Sequence, residues 1–277
     1  MVKRYKHKTK KNRISSETAT LIDLLRLIIV LPFHLIMYLL GKEDFKEVVG
    51  PFRTIVSFLT EARFTVIIIS INVVMFVASL FFPSAWISML GISPLNLFEG
   101  RWYTLITAGF LHADAAHLLG NMIFLLVFGR VLERRLGSTK TALIYFGALI
   151  ISGVFSNLVY FIMGVDILGI GASGALMGLV AAGMLLDPFY ITYFFVFPLP
   201  IMVVGWTAIY SDITGILTPM DTNIGHMAHM GGFLSITVLM YFFTDQERSD
   251  LRKGLLINLL SLAVAIILFV IISAVVN

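Results

Sequence analysis

Long apolar stretches follow one another along the chain, separated by short polar segments. A helix needs about 20 predominantly apolar residues to cross the hydrocarbon core of a bilayer. Seven stretches are candidates for such spans: residues 64–83, 116–128 with their flanks, 141–163, 172–186, 191–216, 226–243 and 254–276. The pattern therefore predicts an all-α, polytopic membrane protein.

Two other segments do not fit a simple span. Residues 24–40 are apolar but interrupted by Arg26 and Pro32, which favours an interfacial helix lying on the membrane. Residues 84–114 form a long connection with two tryptophans, and indole side chains favour the bilayer interface. We expect this connection to be a membrane-associated loop on the outer side.

Basic residues cluster at three places, residues 3–13, 130–140 and 248–253. Because Lys and Arg accumulate on the cytoplasmic side, all three clusters are predicted to be cytoplasmic. The outer ends of the spans then open to the exterior of the cell membrane. The N-terminal tail is either a topology signal alone or also a ligand for anionic lipid headgroups. No aromatic or folded module accompanies it, which argues against nucleic acid.

Composition agrees with a bilayer protein and narrows the chemistry. Hydrophobic residues make up 58% of the chain and charged residues 13%, and the mean hydropathy is +0.95. These values lie far from those of a soluble domain. The chain has no cysteine, so a nucleophile would have to be serine, threonine or a carboxylate.

Histidines gather at one side of the predicted bundle. His112, His117, His226 and His229 all fall at or near outer ends of spans. A polar side chain at membrane depth costs a few kcal/mol, so such clustering calls for partners or a function. His117 and Asn121 are four residues apart, which places them on one helix face. They either aim at one common point or hydrogen-bond a neighbouring helix.

The segment Gly171-Ala172-Ser173-Gly174 opens the short span. Glycines allow a tight entry into a helix, and unpaired backbone N–H groups gather at its start. A serine among small residues is alternatively a packing device, as the Gly174 and Gly178 spacing indicates. A helix of about 15 residues covers only about 22 Å of a core about 30 Å thick, so water could reach Ser173 through a recess.

His229 lies just inside the sixth span and precedes two glycines, which would allow the helix of Ser173 to approach closely. A contact between the two side chains predicts acyl transfer, with His229 taking the Ser173 proton and returning it to a leaving amine. His117, Asn121 and the Ser173 backbone N–H would stabilise the oxyanion. This chemistry requires no metal and no cofactor.

Four motifs, in this order and on these spans, resemble the rhomboid family of intramembrane serine proteases. They are His112-x4-His117-x3-Asn121, Glu133-Arg134-Arg135-Leu136-Gly137, Gly171-Ala172-Ser173-Gly174 and Ala228-His229-Met230-Gly231-Gly232. Each motif alone is weak, and the resemblance covers roughly residues 64–243.

The resemblance implies a six-helix catalytic core over residues 63–244. A basic tail and interfacial segment would precede it over residues 1–62, and a linker with a seventh transmembrane helix would follow over residues 245–277. It also implies a Ser/His dyad of Ser173 and His229 that cleaves transmembrane segments of other membrane proteins through an acyl-enzyme.

Further roles follow from the same resemblance. His117 and Asn121 would be the oxyanion donors, His112, Gly171, Gly174 and Gly232 would shape the site, and Glu133 and Arg135 would order the cytoplasmic turn.

The chain departs from the family pattern at three places. Tyr103 and Thr104 stand where the outer loop of the family has a Trp-Arg pair. Met177 stands where an aromatic often supports the catalytic histidine, and Ile236 replaces a glycine on the sixth helix. We expect the base to be held differently and the sixth helix to pack more loosely.

Two other functions fit parts of the pattern. An inactive rhomboid-like protein would bind membrane helices without cutting them, although such relatives commonly lack the serine or the histidine. A transporter or channel could relay ions through the histidines and several aspartates. A metalloprotease is disfavoured because the chain has no HExxH motif. Asp212 is expected at the membrane interface rather than in a triad, and His226 as a polar residue capping a helix.

Overall fold

The computed structural model describes residues 33–46, 48–49, 56, 60–194, 197–218 and 225–276. The predicted basic tail and most of the predicted interfacial segment lie outside these residues, apart from helical turns over 33–39. We number the helices from Arg63 onward: α1 Arg63–Ser79, α2 Pro83–Leu90, α3 Pro94–Phe98, α4 Thr104–Thr107, α5 Ala115–Phe124, α6 Arg130–Leu136, α7 Ser138–Ile162, α8 Ser173–Leu186, α9 Ile201–Leu217, α10 His226–Leu234, α11 Ile236–Leu239 and α12 Asp245–Val276.

The predicted all-α membrane class is confirmed. Three helical segments are long and apolar enough to cross a membrane, namely Ala115–Leu136, Ser138–Ile162 and Asp245–Ala274. The first of these runs from α5 through a π-helical turn into α6, so the basic residues near 130 lie on a helix rather than in a loop. Three shorter apolar helices, α1, α8 and α9, pack among them.

The prediction of one continuous span over residues 191–216 is wrong. Ile191–Phe194 and Phe197–Pro200 form a two-stranded antiparallel hairpin, with Ile191 opposite Pro200. The hairpin contains Pro198 and Pro200, and proline lacks the N–H that a helix interior needs and clashes with the preceding turn. Helix α9 therefore begins only at Ile201, directly after the last proline.

Helix α8 is the centre of the bundle. All of its residues except Ser173 and Leu185 are buried, as expected for a helix that is apolar all round. Close packing depends on glycine here, because a Cβ at Gly178 would collide with Ala148 of α7. A Cβ at Gly232 of α10 would likewise collide with the carbonyl group of Gly174.

Glu133 joins three elements at the opposite end of the bundle from Ser173. Its carboxylate accepts hydrogen bonds from Phe64 N at 2.8 Å, Thr65 N at 3.0 Å and Thr65 Oγ1 at 2.9 Å. It also accepts one from Ser138 Oγ at 2.5 Å. The free N–H groups at the start of α1 are thereby satisfied, as a helix start requires. Arg135 adds an ion pair with Asp250 of α12 at 2.9 Å.

Candidate active site

Ser173 is the first residue of α8 and is partly exposed at the N-terminal end of this helix. The entry into the helix depends on Gly171, whose φ of 122° is one that L side chains rarely adopt. A Cβ at Gly171 would also lie 2.9 Å from Nε2 of His117. The Gly171 N–H donates to the carbonyl of Ala108 at 2.8 Å, which fixes this turn.

Helices α8 and α10 lie side by side and run in the same direction. A Cβ at Gly174 would lie 3.5 Å from the carbonyl oxygen of Ala228. One turn further along, a Cβ at Gly178 would lie 3.4 Å from the carbonyl oxygen of Gly232. Ser173 precedes the first contact on α8, and His229 follows it on α10. The hydroxyl and the imidazole therefore come from the same level of two touching helices.

A carboxylate from α9 faces the imidazole of His229. Asp212 Oδ1 lies 2.6 Å from Nδ1 of His229 and 2.9 Å from Nδ1 of His226. A carboxylate on Nδ1 selects the tautomer with the proton on that nitrogen and leaves Nε2 as an acceptor. The expectations that Asp212 is only an interfacial residue and His226 only a cap are corrected by these contacts.

The sequence nevertheless contained a signal for Asp212. It is the only acidic or basic side chain in the apolar helix α9, and such a residue within a membrane-embedded helix indicates a functional site with a nearby partner. Its partners are 14 and 17 residues away in sequence. The sequence separation alone did not reveal that the end of α9 folds back against the start of α10.

His117 and Asn121 both lie beside the entry to α8. A Cβ at Gly171 would lie 2.9 Å from His117 Nε2 and 3.7 Å from Asn121 Nδ2. The helix that carries them is capped by Asp114, whose carboxylate accepts from the His117 N–H at 2.8 Å. The structure thus places both side chains beside Gly171, in the turn before Ser173.

The hydrogen bonding of this pair leaves donors free. The Ala113 N–H donates a long hydrogen bond of 3.5 Å to Nδ1 of His117, which places the ring proton on Nε2, the atom nearer Gly171. Asn121 Nδ2 is buried and has no hydrogen-bond partner among the described residues. A buried, unpaired donor costs about 1–3 kcal/mol, so its position requires an explanation.

His112 lies behind His117 and is buried. The two rings are 5.0 Å apart at an interplanar angle of 69°. Burial and, as a smaller cause, the neighbouring His117 together lower the pKa of His112 to about 4. His112 is therefore neutral at ordinary pH and supports the ring of His117 by packing.

The three departures from the family pattern have clear positions. The Tyr103 hydroxyl donates to the carbonyl of Met89 at 3.1 Å, and Thr104 Oγ1 donates to that of Arg101 at 2.7 Å, so both side chains stabilise the connection between α1 and α5. Met177 is buried on α8, one turn below Ser173. Ile236 is buried at the start of α11, where the predicted sixth span is interrupted at Ser235.

Asp212, His226 and His229 could also hold a metal ion. Their ligand atoms all lie within 4.8 Å of one another. Two imidazole nitrogens and one carboxylate oxygen form a donor set typical of zinc and other transition metals.

The fold and this site define a helical membrane protein with a polar centre at the N-terminal end of a short, buried central helix. The family model described as the Rhomboid domain matches residues 99–246. The chain belongs to the rhomboid family, which is a family of intramembrane proteases.

Several relatives match parts of the chain. "RHOMBOID-like protein 12, mitochondrial" of Arabidopsis thaliana is 32% identical over 156 residues, which cover 51% of this chain and 46% of that protein. "Rhomboid-like protein 11, chloroplastic" of the same plant is 36% identical over 121 residues, 43% of this chain and 40% of that protein. YdcA of Bacillus subtilis, provisionally named as a rhomboid protease, is 32% identical over 150 residues, 50% of this chain and 68% of that protein.

The chain therefore spans less than half the length of the two plant relatives. The match to the Rhomboid domain begins at residue 99, within the predicted outer loop, and ends close to the predicted core boundary at 244. The division at residues 63 and 244 stays a prediction, as do the cell-membrane location and the orientation.

Proposed function

We propose that this chain is an intramembrane serine endopeptidase in which Ser173 is the nucleophile and His229 the general base. The observation that carries this proposal is the parallel packing of α8 and α10, which brings Ser173 and His229 to one level. The Asp212 carboxylate at 2.6 Å from Nδ1 of His229 supports it, because it keeps Nε2 free to accept a proton.

The reaction starts with proton transfer from Ser173 Oγ to Nε2 of His229 as Oγ attacks the carbonyl carbon of the substrate. The C–O bond forms, and the carbonyl π electrons move to oxygen to give a tetrahedral oxyanion. Collapse breaks the C–N bond, and protonated His229 delivers its proton to the leaving amine. Water then attacks the acyl carbon as Nε2 of His229 takes its proton. The ester C–O bond breaks, the proton returns to Ser173 Oγ, and the acid is released.

The oxyanion would be bound by His117 Nε2–H, Asn121 Nδ2–H and the backbone N–H of Ser173. The unpaired state of Asn121 supports this role, because a donor that waits for a developing charge has no partner in the free enzyme. Preorganised donors of this kind are worth about 2.7–4 kcal/mol each in the transition state. His112 and the cap from Asp114 hold His117 in place.

The substrates would be transmembrane segments of other membrane proteins. Helix α8 has 14 residues and is therefore about 21 Å long, shorter than a hydrocarbon core of about 30 Å. With its C-terminal end at one membrane face, Ser173 lies below the other. A substrate helix must unwind locally to reach it, which favours segments with weak helix propensity.

Reconstitution in liposomes with a model transmembrane substrate tests the proposal. Parent chain and Ser70→Ala should cleave the substrate, since Ser70 lies on the exposed face of α1 and, among the described residues, bonds only its own helix. Ser173→Ala and His229→Ala should not cleave it. A fluorophosphonate should label the parent at Ser173 only. Cleavage that persists in both site variants would refute the dyad, and substrate binding without cleavage by the parent would favour the inactive relative.

A further inference from the structure

Three metal-ligating side chains meet where α9 ends and α10 begins. Asp212 Oδ1 faces Nδ1 of both His226 and His229, at 2.9 and 2.6 Å. The side chains are 14%, 11% and 17% exposed, respectively, so the cluster is mostly buried but open to a small solute. Serine protease chemistry uses one histidine on one carboxylate, and it does not explain the second.

We propose that Asp212, His226 and His229 form an inhibitory zinc site. Three protein ligands with water in the fourth position are the arrangement of an open tetrahedral zinc site. Two imidazoles favour Zn²⁺ over Mg²⁺ or Ca²⁺, which prefer oxygen ligands. Ligand atoms at about 2.0–2.2 Å from zinc lie about 3.3 Å from one another, so the cluster accepts the ion after movements of less than about 1 Å.

Zinc at this position would switch off the base by changing its tautomer. In the metal-free site Nδ1 of His229 carries the proton and points it at Asp212. Zn²⁺ binds the Nδ1 lone pair, so the ring proton moves to Nε2 and the imidazole stays neutral. Nε2 then has no lone pair with which to accept the Ser173 proton. The inhibition rests on the proposed function, whereas the binding of zinc does not.

Substitution of His226 allows zinc binding to be tested separately from catalysis. Its imidazole packs against α9, where a Cβ at Gly215 would collide with the ring, and it bonds only to Asp212 among the contacts described. In His226→Asn, the Asn amide can take the position of Nδ1 and still donate to Asp212, but it is a poor zinc ligand. This variant should retain metal-free proteolysis and lose most of the affinity for zinc.

Binding is measured first on full-length Ser173→Ala in detergent, with Zn²⁺ by calorimetry and with Co²⁺ as a spectroscopic probe. We expect one ion per chain and the intense visible absorption of four-coordinate Co²⁺. The double variant Ser173→Ala/His226→Asn should bind at least about 10-fold more weakly. Ser173→Ala/His34→Gln is the matched control and should bind zinc as Ser173→Ala does. His34 bonds Glu43, and both residues are distant in sequence from the three proposed ligands.

Proteolysis is then measured with a chelator and over a range of Zn²⁺. The parent and His34→Gln should be inhibited, whereas His226→Asn should need at least about 10-fold more zinc for half-inhibition. Absence of binding by Ser173→Ala, or equal inhibition of His226→Asn, would overturn the zinc site. Binding by a chain that never cleaves would refute the proposed function and the inhibition with it. Zinc-dependent cleavage by Ser173→Ala would replace both proposals with a metalloprotease.

Discussion

Asp212 Oδ1 lies 2.6 Å from Nδ1 of His229, and this contact joins the last turns of α9 to the first turn of α10. The carboxylate orients the imidazole because it accepts a hydrogen bond from Nδ1–H, which leaves Nε2 facing away from it. In the proposed mechanism Asp212 is a positioning residue that acts through His229, in addition to the dyad that the sequence predicted.

Asp212→Asn should lower kcat by about 100-fold or more, because the amide can donate to Nδ1 and so favour the tautomer with its proton on Nε2. KM should change little, since the side chain does not reach the substrate. Asp245→Asn is the matched control at a side chain that is 98% exposed, and it should leave kcat unchanged. Equal kcat in Asp212→Asn and the parent would exclude a positioning role.

Asn121→Leu should lower kcat by about 100- to 1,000-fold with little change in KM, because an oxyanion donor acts only in the transition state. The substitution keeps a similar volume and removes a buried amide nitrogen that has no partner among the described residues. The thermal midpoint of the purified variant should therefore be equal to or above that of the parent. A large loss of stability would instead indicate that Asn121 is a structural hydrogen-bonding residue.

Gly232→Ala should destabilise the protein and abolish proteolysis together. A methyl group at this position collides with the Gly174 carbonyl, which is backbone and can move only if α8 and α10 separate. Overpacking of this kind typically costs about 1–3 kcal/mol. Gly120→Ala is the control on α5, since a Cβ there has nothing within 4 Å, and it should be neutral or stabilising by up to about 1 kcal/mol. Thermal unfolding of both variants in the same detergent measures the difference.

Much of the fold could be predicted from the sequence, since length and hydropathy determine which segments cross a bilayer. Residues 141–163 were identified nearly to their ends. The span predicted over 254–276 ends as expected but begins at Asp245, so the predicted linker is part of the helix. The start of the central helix at Ser173 followed from the glycines around it. The hairpin before Ile201 was missed because its residues are as apolar as a span, so that hydropathy outweighed the two prolines.

The site could be predicted only in part, for a different physical reason. Spacing places His117 and Asn121 on one helix face, and this requires only helical periodicity. The approach of Asp212 to His226 and His229 depends on how two helices meet in space, and no local pattern determines that. The parallel contact of Gly174 with Ala228 is likewise tertiary, although small residues on both helices indicated that a close approach was possible.

Acid should destabilise the protein through His112. Its pKa is about 4 in the folded chain and about 6.5 in an unfolded one, so the unfolded state binds more protons between these values. Stability is then complete above about pH 6.5 and falls as the pH drops towards 4, by up to about 3 kcal/mol. Denaturation at pH 7.5 and pH 5 should give a smaller difference for His112→Gln than for the parent. The control His34→Gln, at a partly buried histidine that bonds Glu43, should retain the parental difference. An equal pH response in all three chains would show that burial of neutral His112 does not contribute.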